Sequence, residues 1–223
     1  MESPRTRWTP RLVLLSSIVH AVILPATPLL VPGTAPGLRG DPLSGVRAAV
    51  AGALADLTSG GRVPLVLAHG PALRSGRMRP SLAGSGIGDR WLADGGVSRW
   101  PDDGRPAAGT GASVALLALA DVLGARAADA EVLEVPPSWT GSPGTGTGTG
   151  PDADVVRLLR AADGLVVAGG GAPGGLDTAP DALTGGLRAA LRAAGADEWT
   201  ARAQDFEQSH DHLPPTYRVT TLA

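Results

Sequence analysis

The sequence contains no cysteine, no lysine and no asparagine. Without cysteine there is no disulfide, no thiolate nucleophile and no Cys-based zinc or iron–sulfur site. Without lysine, Schiff-base chemistry and the lysine of a phosphate-binding P-loop are excluded. Aromatics are scarce, five Trp with one Tyr and one Phe in 223 residues, so the core must be built from Ala, Val and Leu. Neither sign of charge dominates: 19 basic residues against 21 acidic ones leave a net charge of -2. That balance offers no concentrated basic footprint for nucleic acid or an anionic membrane surface. What is present is 43% hydrophobic residues, enough for a folded chain, together with 32 Gly and 20 Pro.

Arg5, Arg7 and Arg11 precede the apolar run Leu12–Val19, which is the charge order of a signal peptide. Ser16, Ser17 and His20 interrupt that run, and Leu24 occupies the −3 position of the small-residue site after Ala26. The segment therefore reads as a polar extension over residues 1–16 and a buried strand at 18–24, in a cytoplasmic protein. Asp41-Pro42 then opens a helix as N-cap and N1, with Val46, Val50, Leu54 and Leu57 on one face and Gly60-Gly61 as its stop.

Strands are expected at 63–68, 131–135 and 164–168, with a further candidate at 217–222. Helices are expected at 86–93, 113–127, 152–162 and 181–194, and a shorter one around 198–208. The Gly-Thr repeats of 141–150 cannot build a core and read as a flexible surface loop. The alternation predicts a single layered α/β domain over 17–223, a largely parallel central sheet flanked by helices.

In such sheets ligands bind beyond the carboxyl ends of the strands. His69, followed by Gly70-Pro71, is delivered to that edge and could ligate a metal or act as a base. The competing reading is a loop histidine hydrogen-bonded to the backbone. His20 lies inside a strand, where an imidazole satisfied by a neighbour is expected. His210-Asp211-His212 sets two imidazoles on one side if the segment is extended, and reads either as part of a zinc or iron site or as a solvated triplet. The run Gly169–Gly175 follows a strand but lacks the dinucleotide fingerprint, because Pro173 removes an amide donor. No Gly-x-Ser-x-Gly elbow is present; Gly84-Ser85-Gly86 lacks the spacing.

The strand entering Pro25-Ala26-Thr27-Pro28-Leu29-Leu30-Val31-Pro32, followed by a helix and a strand ending at His69-Gly70-Pro71, resembles one group of proteins. These are the small, alanine-rich actinobacterial proteins related to the class III extradiol ring-cleaving dioxygenase superfamily. Pro80-Ser81-Leu82 through Arg90-Trp91-Leu92, Asp163–Gly171 and Pro215 to Tyr217 are similar to later segments of that group. The resemblance implies an α/β fold and, in true dioxygenases, iron(II) held by two histidines and a carboxylate, with another histidine as acid/base. His69 matches the second metal histidine, whereas the first falls at Ala26. The carboxylate stays open among Asp177, Glu207 and Asp211.

Two functional readings follow. One is a divergent, non-catalytic or ligand-binding member of that group with a small molecule as its partner. The other is a metal-dependent small-molecule enzyme, oxygenase-like or hydrolytic, using iron(II) or zinc with His69 as ligand or base and His210 or His212 contributed by the C-terminal segment.

Overall fold

The computed structural model describes residues 18–34, 41–92, 100–101, 103–141, 151–169, 183–211 and 213–223. The polar extension at 1–16 and residues 142–150 of the Gly-Thr loop lie outside the described residues. Seven strands form a sheet: β1 Ala21–Pro25, β2 Leu65–His69, β3 Arg74–Gly76, β4 Val132–Val135, β5 Leu165–Gly169, β6 Ala201–Glu207 and β7 Thr216–Leu222. Four helices join them: α1 Ser44–Leu57, α2 Thr110–Leu123, α3 Pro151–Ala161 and α4 Gly185–Ala194. The spatial order is β3-β4-β2-β5-β1-β7-β6.

The sheet is mixed and only partly parallel. β4, β2, β5 and β1 pair in parallel, whereas β3 on β4, β7 on β1 and β6 on β7 are antiparallel. The parallel strands are linked through helices, as crossovers require, and the β6–β7 hairpin needs none.

The central strands are buried on both faces, which is why they read as continuous apolar runs. Alternation divides them. Val22, Leu24, Val66, Ala68, Val132, Val166 and Ala168 face α1 and α2, packing with Val46, Val50, Leu54 and Leu116. Ala21, Leu65, Leu67, Leu133, Val135, Leu165 and Val167 face α3 and α4, packing with Val155, Leu159, Leu187 and Leu191. The stretch Thr110–Asp129, α2 and the 3-10 turns after it, is long and apolar enough to cross a membrane, yet α2 packs on α1, β2 and β5.

Four local expectations are corrected. Asp41 does not cap α1. It forms a turn in which its Oδ1 accepts from the Leu43 N–H at 3.2 Å, and the helix starts at Ser44. Residues 86–93 do not make a helix. Two 3-10 turns, Ala83–Ser85 and Asp89–Trp91, stand there, separated where Gly86 takes φ +76°. Residues 72–80, read as irregular, contain β3. The segment expected as a short helix at 198–208 is β6: its Ala, Arg, Gln and Glu favour helix, but pairing along all of β7 overrides them. α4 starts at Gly185 behind Thr184, whose Oγ1 accepts from the Leu187 N–H at 3.2 Å.

Candidate functional site at the carboxyl edge

Gly111, in the first turn of α2, seats that helix over the carboxyl ends of β1, β2 and β5. A Cβ at Gly111 would stand 3.4 Å from Ala168, 3.5 Å from Ala26 and 3.9 Å from Ala68. The α1/α2 face of this edge is thus floored by methyl groups. Ala26, at the position the resemblance gives to the first metal histidine, is one of them.

Beside this floor lies Glu134, fully buried in the middle of β4. Its Oε1 accepts from the Gly109 N–H at 2.5 Å, just ahead of α2. Its Oε2 accepts from Arg74 Nε at 2.8 Å and also from the other arm of the same guanidinium. Arg74 stands opposite Glu134 in the antiparallel β3–β4 pair. The carboxylate therefore meets a cation and the positive end of a helix together, which is what an ionised group needs when it leaves water. Glycine is required around it: a Cβ on Gly70 would fall 2.8 Å from Glu134 Cβ. The arrangement was not read from the sequence. A charge inside Val-Leu-Glu-Val was the available signal, since a glutamate within a buried strand demands a partner.

His69 is the last residue of β2, at the edge its strand predicts. By alternation it shares the α3/α4 face with Leu65 and Leu67. It stands beside Val135 of β4, one residue beyond Ala68, whose partner on β5 is Ala168. Both ring nitrogens are buried, and neither has a hydrogen-bond partner. The expectation of a loop histidine tied to the backbone through its ring does not describe this residue. An imidazole in this state keeps one donor and one acceptor, or a metal-ligating nitrogen, uncommitted. Among the described residues the other buried side-chain polar atom without a partner is Trp100 Nε1, in the α1/α2 core.

The other histidines lie elsewhere. His20 precedes β1 at its amino end and stacks on Trp199, ring centroids 5.2 Å apart and planes 17° from parallel. The residue thus stands just ahead of the strand it was expected to lie in, and its ring contact is a stack. His210 sits in the β6–β7 connection, its N–H donating to Gln208 Oε1 at 2.5 Å and its carbonyl accepting from the Leu213 N–H at 3.0 Å. His212 lies outside the described residues, as do Asp177 and residues 170–182 of the glycine-rich run. Glu207 ends β6 and Asp211 is exposed in the same connection. From β2 to β6 is four strand positions, roughly 19 Å along the sheet. Among the described residues no group of three or more His, Asp or Glu comes together to hold a metal ion. Iron held by two histidines and a carboxylate therefore does not fit the described residues, among which His69 belongs to no group of three such side chains.

No family model matches the chain, and no curated protein or solved structure matches it either.

Proposed function

We propose that the chain is a non-catalytic, small-molecule-binding protein related to the extradiol dioxygenase-like α/β group, with His69 as the polar contact for its ligand. One observation carries this: an imidazole at the carboxyl edge of a central parallel strand, both nitrogens buried and unpartnered. Such a group is costly to fold around and gains most from a ligand offering a hydroxyl or carboxylate. On the other face of this edge Ala26 stands where the resemblance gives the first metal histidine, packed with Ala68 and Ala168 under Gly111 of α2, which supports the non-catalytic reading. The near-neutral charge supports a small molecule over nucleic acid or an anionic membrane. The interrupted N-terminal run goes with a cytoplasmic location, which fractionation of the expressed protein tests.

The alternative, a metal-dependent enzyme, draws on the same imidazole, because a free nitrogen is also a ligand. Elemental analysis of tag-free protein purified without oxygen separates the two, combined with melting in a panel of small phenols and carboxylates. The binding reading expects no stoichiometric metal and a ligand-induced rise in melting temperature that His69→Ala abolishes. Near-stoichiometric iron, zinc or manganese that disappears in His69→Ala overturns it in favour of the enzyme.

A further inference from the structure

We propose that the chain self-associates through β6, two copies pairing these strands antiparallel about a two-fold axis at Gln204. The two ends of the sheet are built differently. At one, β3 is three residues long. At the other, β6 spans seven residues, all exposed except the half-buried Phe206. Sheet edges are commonly kept from pairing by proline, lysine, bulges or short length. β6 has no proline, lysine or bulge and is not short, and its register with β7 runs unbroken from Ala201↔Leu222 to Glu207↔Thr216. Its one guard is the charge on Arg202, Asp205 and Glu207, which a partner strand must compensate.

The hydrogen bonds show which backbone groups face outward. Thr200 and Ala223 donate to each other's carbonyls at 2.7 and 3.0 Å, and the Gln208 N–H donates to the Pro215 carbonyl at 3.0 Å. Alternation then turns the even-numbered residues of β6 toward β7. The N–H and C=O groups of Ala201, Ala203, Asp205 and Glu207 point away from the sheet, unclaimed by β7.

A symmetric antiparallel pair must centre on a residue that faces its own copy. Centring on Arg202 or Asp205 would oppose like charges. Centring on Gln204 uses the whole strand, Ala201 opposite the partner's Glu207 and Ala203 opposite the partner's Asp205. It brings amide against amide at the axis and each Arg202 against the partner's Phe206, a cation–π arrangement made twice. No like charges stand directly opposite; the two Asp205 lie diagonally across the axis, each paired with Arg218 of its own β7. A single strand pair joins less area than the about 1,600 Å² of a standard interface, so the association is sought at micromolar and higher concentrations.

Two experiments on the full chain test this. In sedimentation velocity from about 5 to about 200 μM, the wild type passes from monomer to dimer. Ala203→Pro, which removes an outward N–H and no β6–β7 bond, stays monomeric. The absence of native cysteine makes the register readable by single-cysteine variants at exposed positions. In Gln204→Cys the two residues form a non-hydrogen-bonded pair with Cα atoms about 4.5 Å apart, within disulfide reach. In Arg202→Cys the two thiols belong to residues about 14 Å apart along the strands. Under copper-catalysed air oxidation, Gln204→Cys forms covalent dimer at least about tenfold faster than Arg202→Cys. A wild type that stays monomeric at the top concentration, a dimer that survives Ala203→Pro, or equal cross-linking rates overturns the proposal.

Discussion

Glu134 and His69 end up on neighbouring strands, one register step apart, on opposite faces of the same sheet edge. Both carry buried polar atoms, and these are treated in opposite ways. Glu134 collects a guanidinium and a helix-start N–H, so its burial is compensated. His69 collects nothing at either nitrogen. The first pattern is how a fold fixes a helix and an edge strand in place, since β3, β4 and the start of α2 all meet at one carboxylate. The second opposes folding, and under the proposed binding function a ligand is what would offset that cost.

If Glu134 is scaffold, removing it should cost the most. Glu134→Ala strands the Gly109 N–H and releases Arg74, and the expected loss is about 3–5 kcal/mol by chemical denaturation. Since Arg74 is 40% exposed and regains water, the lower end of that range applies. A loss below about 1 kcal/mol would mean that the carboxylate is no better placed than a surface pair. Gly70→Ala tests the same point sterically. Its Cβ would stand 2.8 Å from Glu134 Cβ and 3.3 Å from the Ala72 carbonyl oxygen, for an expected loss of about 1–3 kcal/mol.

The smallest effect concerns the one tyrosine, on the α1/α2 side. Burial raises the Tyr217 hydroxyl above its ordinary 10.0. Its contribution is therefore complete below pH 10.0 and is lost as pH rises through the higher native value. Tyr217→Phe should leave the alkaline limb of a pH–stability profile shallower than in the wild type. An unchanged limb would remove Tyr217 from the explanation.

Much of the central sheet could be read directly from the chain. Runs such as Leu65–Ala68 and Leu165–Ala168 are apolar at every position and only four or five residues long, which is how strands buried on both faces read, whereas the longer apolar run of α2 is a helix. His69 could be placed at the edge because Gly70-Pro71 stops the strand immediately beyond it. β6 could not, because its own residues favour helix and its strand character comes from β7, on the far side of a connection closed by Pro214 and Pro215. Glu134 was hidden for a similar reason. Its partners lie 60 and 25 residues away in sequence, and Arg74 sits in a three-residue strand too short to show a period. The pairing state of the His69 ring was equally invisible, since it depends on which polar groups surround the ring in space.

The unfolding free energy of His69→Leu, measured beside the wild type by chemical denaturation without ligand, tests most directly whether this imidazole is held against the fold. Replacing a buried, unpartnered ring by an aliphatic side chain is expected to raise stability by roughly 1–3 kcal/mol, while the ligand-induced rise in melting temperature disappears. A His69→Leu variant less stable than the wild type would contradict it, and would make His69 a structural residue of the core.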